Sequence, residues 1–196
     1  MEYLIGTAVE LRPEVLRGMA RYRQRVFVET LGWDLAVEDG LEFDQFDRSD
    51  TRYVIARDAG GKISGVARLL PTTEPYLLSE VFPQLMGQAA PPCSEEVWEL
   101  SRFAAVDFSA TQRACGGQFS SPTAVGLLKA VQDCAMRHGI RSLITVSPLG
   151  VERLLRKAGF HARRVAPPVI VEGHPLFACW IDVPESDADA DVDVDE

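Results

Sequence analysis

The sequence lacks several features that would assign it to a special class of protein. It has no apolar run near the roughly 20 residues that a membrane-spanning helix needs, and its start, Met1 to Gly6, has no basic region followed by a long apolar stretch. Its four cysteines and three histidines are scattered, with no Cys-x-x-Cys pair and no zinc-like spacing. We therefore expect reduced thiols, no bound metal, no membrane partner and a cytoplasmic location.

Length and composition indicate an ordinary folded protein. The chain has 196 residues, 46% hydrophobic and 25% charged, which fits one domain with a sizeable core. The net charge of -9 is mostly local, because the last thirteen residues contain seven acids and no base. We predict one domain over residues 1–183 and a disordered acidic tail over 184–196, for which solubility alone is a sufficient role. The near-neutral body and the acidic tail argue against nucleic acid as a partner.

Apolar periodicity and turn residues predict an alternation of strands and helices. Two adjacent strands joined by Asp58-Ala59-Gly60-Gly61 indicate an antiparallel hairpin, and a β-α-β pattern follows in the second half. The segments between are an irregular stretch at 33–50 and a Gly/Ser-rich loop at 107–121. In order, the predicted elements are strand 3–9, helix 13–31, strands 53–57 and 63–70, helix 77–86, strand 97–104, helix 122–138, strand 141–147, helix 149–158 and strand 169–183. The pattern predicts an α/β (α+β) domain with a mixed sheet flanked by helices.

Two arginines, Arg68 and Arg102, lie within strand-like runs among apolar neighbours. A charge in such a place is costly unless an opposite charge meets it, and Asp44, Asp47 and Glu99 are available partners. The alternative to a shared buried site is that these charged residues form separate salt bridges on the surface. Because Glu99 and Arg102 are three residues apart, they point to opposite faces of a regular strand. A common site therefore requires a bulge or splay that the sequence does not reveal.

A third arginine, Arg23, lies four residues before Phe27, so both belong to one face of the predicted helix, and Trp33 follows just beyond it. With these residues the chain resembles a known family, the acyl-homoserine-lactone synthases of bacterial quorum sensing, or LuxI-type autoinducer synthases. The resemblance runs from about residue 15 to residue 180. The stretches that carry it are Arg21–Glu29, Leu31–Trp33, Glu42–Asp47, Ala67–Thr73, Tyr76–Leu78, Val81–Pro83 and Trp98–Ala104. The eight hallmark positions of the family are filled by Arg23, Phe27, Trp33, Asp44, Asp47, Arg68, Glu99 and Arg102.

The resemblance implies a fold similar to the N-acetyltransferases (GNAT-like), with a V-splayed sheet around an acyl-thioester cleft. It implies that the amine of S-adenosylmethionine attacks an acyl thioester, usually carried by acyl carrier protein, with acyl-CoA as the other possible donor. The carboxylate then closes a lactone and releases methylthioadenosine. S-adenosylmethionine is a substrate in this reaction, so no cofactor is implied.

The chemistry of that reaction suggests roles for the charged residues. The amine of S-adenosylmethionine is protonated when free, so a carboxylate must accept its proton, directly or through a water. Glu99 and then Asp44 are the candidates for this base. Arg102 is grouped with them as catalytic, and it also belongs with Asp47 and Arg68 to a charge network that shapes the site.

The predicted S-adenosylmethionine contacts involve three residues near the first helix. A sulfonium and an adenine ring favour aromatic faces, which fits Phe27 and Trp33. A substrate carboxylate favours an arginine, and Arg23 is the arginine nearest in sequence to that aromatic pair.

The family resemblance implies an acyl pocket lined by Leu77, Phe103, Leu128, Leu143, Thr145 and Leu154. For the leucines, ordinary core packing is the alternative. Family members with threonine at the place of Thr145 tend to make 3-oxo chains, and a hydroxyl in an apolar tunnel would hydrogen-bond a C3 oxygen. A hydroxyl bonded to the backbone is the alternative for Thr145.

Basic residues also concentrate in the C-terminal half. Arg153 and Lys157 share one face of the predicted helix 149–158 and form a candidate docking surface for an acidic acyl carrier protein. A solvated helix face is the alternative.

Two other functions compete with that of a synthase. One is a GNAT-like acyltransferase using acyl-CoA on another amine, which would need a clearer glycine-rich phosphate-binding turn. The other is a non-catalytic sensor of S-adenosylmethionine or acyl chains, which would tolerate loss of Glu99.

Overall fold

The described residues form ten strands and several helices, in the order that the apolar periodicity predicts, with additions between them. A computed structural model describes residues 1–108 and 122–185. Most of the predicted Gly/Ser-rich loop and all but the first two residues of the predicted acidic tail lie outside the described residues. The elements are β1 (Glu2–Thr7), α1 (Pro13–Arg23), a π-helix (Gln24–Thr30), β2 (Val37–Glu38), β3 (Leu41–Glu42), β4 (Arg52–Arg57), β5 (Ile63–Pro71), α2 (Leu77–Glu80), a 3-10 helix (Pro83–Met86), β6 (Val97–Ala104), α3 (Pro122–Arg137), β7 (Ser142–Pro148), α4 (Val151–Lys157), β8 (Ala162–Arg164), β9 (Val169–Val171) and β10 (His174–Asp182).

The strands build one mixed sheet in the order β1-β4-β5-β6-β7-β10-β8, with β9 paired to β10. β6 and β7 run parallel, and the other described pairs of this sheet are antiparallel. The parallel pair is short, because Val97, Trp98 and Glu99 of β6 pair with Ser142, Leu143 and Ile144 of β7 and the pairing then ends. Beyond Glu99 and Ile144 the two strands diverge, and this gap confirms the predicted V-shaped splay.

The alternation of side chains along each strand sorts the core into layers on the two faces of the sheet. On one face, Val54 and Leu69 pack with Leu127 of α3 and Leu155 of α4 in a single apolar cluster. On the other face, α1 and the π-helix cover Tyr53, Ile55 and Val66. A third cluster on this second side includes Leu70, Leu78 and Ile144. Within the described ranges, no helix is both long and apolar enough to cross a membrane.

Three predicted elements were wrong in detail. The helix predicted to residue 31 changes at Gln24 into a π-helix, in which the Leu31 N–H donates to the Val26 carbonyl five residues back. The helix predicted at 77–86 is a short α-helix followed by a 3-10 helix at Pro83. The strand predicted at 169–183 is two strands, because Glu172 and Gly173, with φ of 49° and 81°, form a tight turn between β9 and β10.

Candidate active site

A buried cluster of charges lies between the end of α1 and the second face of the sheet, and Arg23 is at its centre. Arg23 is 0% exposed, and its guanidinium donates to Glu42 from Nε at 2.5 Å and to both oxygens of Asp47 from Nη1 and Nη2 at 2.7 and 2.9 Å. The hydroxyl of Tyr53 on β4 donates to the same Asp47 at 2.8 Å. These contacts give Arg23 a structural role, and its contact with a substrate carboxylate stays a prediction.

Arg102 reaches this cluster because β6 contains a bulge. The register between β5 and β6 shifts by one residue between Val66 and Arg68, and Arg102 has a φ of 50°, in the left-handed region that a non-glycine residue rarely adopts. Its Nη2 donates to Glu42 at 3.0 Å and to Asp44 at 2.8 Å. The bulge is the irregularity that a common site for Glu99 and Arg102 requires.

Arg68 on β5 completes the cluster. Its Nη1 lies 2.5 Å from Asp44 and 3.3 Å from Asp47, and its Nε donates to the Ser101 hydroxyl at 3.0 Å. The Nη2 of Arg68 is buried and has no hydrogen-bond partner among the described residues. The structure therefore brings together the three predicted arginines and both predicted aspartates in one network and leaves one buried donor open within it.

The arginines control the ionisation of two buried carboxylates. Burial alone would raise the pKa of Asp47, but hydrogen bonds and charge from Arg23, with the charge of Arg68, hold this pKa well below its usual range. The same competition lowers the pKa of Glu42, where Arg23 and Arg102 outweigh burial. Both residues are therefore anions at neutral pH, fixed in place by cations.

Glu99 behaves differently from those two carboxylates. It is 0% exposed, and its oxygens accept hydrogen bonds from the backbone N–H groups of Leu77 at 3.1 Å and Leu78 at 2.7 Å. Burial raises the pKa of Glu99 to about 7, against the opposing effects of these N–H groups and of Arg68 and Arg102. Because Glu99 and Ile144 form the last pair before β6 and β7 diverge, this carboxyl group lies at the apex of the V, with a pKa suited to proton transfer at neutral pH.

An aromatic pair borders the cluster. The rings of Phe27 and Trp33 stack with centroids 4.9 Å apart and planes 25° apart. The backbone N–H of Trp33 donates to the Phe27 carbonyl at 2.9 Å, so the chain leaving the π-helix folds back on itself. Phe27 is 2% exposed and lies 5.7 Å from the Arg102 guanidinium, whereas Trp33 is 46% exposed. Trp33 therefore offers an accessible aromatic face next to the buried charges.

The residues predicted to line the acyl pocket divide between two clusters. Leu128 and Leu143 are buried between the sheet and α3, and Phe103 packs against the same cluster. Leu77 packs instead into the cluster on the other side, with Leu70 and Ile144. The half-buried Leu154 lies on α4, and Thr145 on β7 directly follows the last residue paired with β6.

The hydroxyl of Thr145 makes only a long contact, 3.4 Å to the carbonyl of Val146. This distance exceeds the usual 2.5–3.0 Å of a strong O–H···O bond. The side chain is 7% exposed, so its hydroxyl is buried without a well-formed partner. The predicted bond to the backbone is present but weak.

Arg153 and Lys157 are exposed on α4, which begins just after β7 at the open end of the V. Neither forms an ion pair within the part of the chain that the structure describes. Their neighbours differ, because Arg156 and Arg164 both pair with Glu152, at 2.8 and 3.0 Å. The predicted docking surface is thus unpaired positive charge beside the cleft.

Sequence reasoning missed three members of the charge cluster: Glu42, Tyr53 and Ser101. Glu42 is 1% exposed and joins Arg23 to Arg102. Its position depends on a small hairpin in the stretch predicted as irregular, where β2 and β3 are joined by Asp39 and Gly40 with φ of 52° and 73°. Asp-Gly is a strong sequence indicator of such a two-residue turn, so this hairpin could have been predicted from Asp39-Gly40.

Comparison with known proteins adds sequence relatives to this geometry. A family model described as "Autoinducer synthase" matches residues 8–190. A curated protein of Acinetobacter nosocomialis named "Acyl-homoserine-lactone synthase" is 54% identical over 162 residues, which are 83% of this chain and 88% of that protein.

Solved structures agree with the sequence relatives. The crystal structure of TofI in a ternary complex with an inhibitor and MTA superposes with a TM-score of 0.80 at 46% identity, covering 93% of this chain and 92% of TofI. BjaI, described as a CoA-dependent acyl-homoserine lactone synthase with SAM and isopentyl-CoA, gives a TM-score of 0.79 at 28% identity, covering 93% and 82%. An N-acetyltransferase from Lactobacillus plantarum shares the fold, with a TM-score of 0.60 at 19% identity over 94% of this chain and 100% of that one. The predicted GNAT-like fold is therefore confirmed.

Proposed function

Because the chain belongs to the autoinducer synthase family, we propose that it makes an acyl-homoserine lactone from S-adenosylmethionine and an acyl thioester, with acyl carrier protein as the donor. The observation that carries this proposal is Glu99, a buried carboxyl group with a near-neutral pKa at the apex of the splayed strands, beside a fixed charge cluster. In this proposal the protein is an acyltransferase that needs no resident cofactor.

The first bond formed is the amide. Glu99 accepts a proton from the ammonium group of S-adenosylmethionine, directly or through one water, and the freed amine attacks the thioester carbonyl. The tetrahedral intermediate collapses with loss of the thiol. Beyond Glu99 the edges of β6 and β7 no longer bond to each other, so backbone N–H groups along the gap are candidates to stabilise the developing oxyanion.

The second bond closes the ring. The carboxylate oxygen of the acylated product attacks its own γ-carbon, and the C–S bond breaks so that the positively charged sulfur leaves as neutral methylthioadenosine. The exposed face of Trp33, stacked on Phe27, is suited to hold the sulfonium or the adenine. The Nη2 of Arg68, the open donor of the cluster, is a candidate partner for a substrate oxygen or an ordered water.

The test of this function is a balanced product analysis. Purified protein is incubated with S-adenosylmethionine and an acyl-acyl carrier protein, and mass spectrometry measures acyl-homoserine lactone, methylthioadenosine and free thiol. We expect the three products in equal amounts. Acyl transfer to another amine without methylthioadenosine would favour the GNAT-like alternative, and tight binding of S-adenosylmethionine without turnover would favour the sensor.

Variants of the exposed α4 surface test whether acyl carrier protein docks there. Arg153→Glu combined with Lys157→Glu should raise the KM for acyl-acyl carrier protein about tenfold and leave the KM for S-adenosylmethionine unchanged, because both cations are exposed and pair with no acid in the described residues. The matched control is Arg17→Glu with Lys129→Glu, which makes the same charge change at exposed positions on α1 and α3. Equal KM values in the two double variants would exclude α4 as a carrier-docking surface.

Variants of Thr145 test whether its hydroxyl recognises an oxygen on C3 of the acyl chain. Thr145→Val should lower the ratio of 3-oxo to unsubstituted product about fivefold when both thioesters compete, because one hydrogen bond contributes about 1 kcal/mol. Thr145→Ser is the control that keeps the hydroxyl, and the two products are quantified by mass spectrometry. An unchanged product ratio in Thr145→Val would mean that the hydroxyl does not contact the chain.

A further inference from the structure

The gap between β6 and β7 has a defined open end, and the sheet topology shows what flanks it. The strands run parallel and separate after Glu99 and Ile144, so the gap opens toward the C-terminal ends of both. On one side of this opening lies α4, which follows β7. On the other side lies the turn between β4 and β5, because Val66 near the start of β5 pairs with Ala104 at the end of β6.

A groove of about 710 Å³ lies at that second side, against α1 and the β4–β5 turn. Charged residues dominate its lining, with five cations against three acids. The cations are Arg12, Arg21 and Arg25 from the first helical segment and Arg57 and Lys62 from the turn. The acids are Glu14, Asp58 and Asp107.

Most of this positive charge is available to a partner. Arg12, Arg21, Arg25 and Lys62 are exposed, and Arg12, Arg21 and Lys62 form no ion pair across residues 1–108 and 122–185. Arg25 lies over the ring of Phe108 at 3.7 Å, so its guanidinium is held at the groove. Arg57 donates to the carbonyl of Gly61 at 3.0 Å and pairs with Glu2 at 3.7 Å. Five cations against three acids leave the groove an excess of two positive charges, carried mainly by exposed side chains.

We propose that this groove is a second docking surface for the acidic acyl carrier protein, on the opposite side of the cleft from α4. The inference depends on the proposed function, because it assumes a carrier-bound acyl donor. The groove lies against α1 on one face of the sheet, whereas α4 packs on the other face, so the two surfaces flank the open end of the gap from opposite faces. An acidic carrier docked on the groove is next to this open end, where its acyl chain enters between β6 and β7.

The test is a charge reversal within the groove, Arg21→Glu with Lys62→Glu, at two exposed positions that pair with no acid among the described residues. The KM is measured with three donors that carry the same acyl chain: acyl-acyl carrier protein, acyl-CoA and acyl-pantetheine. We expect the KM for the carrier protein to rise about tenfold, and this rise to shrink at high ionic strength. The KM for acyl-pantetheine and the kcat should stay within twofold of wild type. The double variant Arg17→Glu with Lys129→Glu, outside the groove, should leave all three values near wild type.

Three kinds of result would contradict the docking proposal or the proposed function, and each has a different meaning. An unchanged KM for the carrier protein, or an equal rise in the control double variant, would overturn the docking proposal. A rise with acyl-CoA as large as that with the carrier would assign the groove to phosphate groups and overturn it too. If the wild-type protein makes no lactone from any donor, the proposed function itself fails, which is a separate outcome.

Discussion

Replacing Glu99 with glutamine is expected to lower kcat/KM for lactone formation by about 10²- to 10⁴-fold, the usual range for loss of a general base. Glutamine keeps the size of the side chain and one oxygen, which can accept from the N–H group of Leu77 or of Leu78 but not both, and it cannot accept the ammonium proton. The matched control is Glu95→Gln, the same change at an exposed position four residues earlier. Activity is measured as lactone and methylthioadenosine formed per enzyme.

The pH profile gives this prediction a second readout. Because burial raises the pKa of Glu99 to about 7, the wild-type kcat/KM should fall as the pH drops below about 7, when the carboxyl group is protonated and no longer acts as a base. The residual activity of Glu99→Gln should lack this inflection. An inflection that persists in the variant would move the role of base to another group, with Asp44 the next candidate.

Measuring the stability of Glu99→Gln distinguishes a loss of catalysis from a loss of folding. A carboxyl group whose folded pKa is raised stabilises the protein below its unfolded pKa of about 4.3, and that stabilisation is lost as the pH rises through about 7. At pH 8.5 the buried Glu99 anion thus costs on the order of 3 kcal/mol. Glu99→Gln should therefore be at least as stable as wild type at pH 8.5. A clear decrease in its Tm there would attribute the lost activity to misfolding.

The sequence predicted the sheet and most of the site because both depend on local patterns. Alternating apolar residues at 53–57 and 63–70, with two glycines between, predict a hairpin that the structure contains as β4 and β5. The charges of Arg68 and Arg102 within apolar runs predicted partners of opposite charge, and Asp44 pairs with both arginines. In the part of the chain that the structure describes, Glu99, another candidate partner, forms no ion pair with either of them.

The parts that could not be predicted depend on long-range pairing or on unusual backbone conformations. The bulge at Arg102 needs a positive φ that sequence normally marks with glycine, and here the residue is an arginine held by Glu42 and Asp44. Glu42 was missed because its burial comes from contacts with residues 19 and 60 positions away. The divergence of β6 and β7 is likewise a property of the assembled sheet.

The Glu172-Gly173 turn is a different kind of omission. The run from Val169 to Val183 is apolar enough to suggest a single strand, and His174-Pro175 was not treated as the start of a new one. In the structure β9 folds back on β10, with His174 opposite Val171. Local apolar content favoured one strand, whereas two consecutive residues with positive φ impose two.

Replacing Arg23 with methionine is expected to lower the free energy of unfolding by about 3–5 kcal/mol at pH 7, the usual cost of removing one partner from a buried ion pair. The change leaves the carboxylates of Glu42 and Asp47, 1% and 3% exposed, without the guanidinium that bonds both. The matched control is Arg21→Met, two residues earlier on the same helix, at an exposed position with no ion pair in the described part of the chain. Urea unfolding of both variants measures the difference.

The pH dependence of that cost identifies its cause. The pKa of Asp47 is lowered in the folded wild type, so the stabilisation it provides is present above its unfolded pKa of about 3.9 and is lost as the pH falls through the lower folded value. Without Arg23 the cluster has one more carboxylate than guanidinium, with Arg68 still near Asp47 and Arg102 still bound to Glu42. The pKa of Asp47 should therefore rise, and its protonation as the pH falls toward 4 should remove the excess negative charge. The cost of Arg23→Met should therefore be largest at neutral pH and shrink toward pH 4. A cost that stays constant between pH 7 and pH 4 would mean that lost packing of the side chain, rather than excess buried negative charge, destabilises the variant.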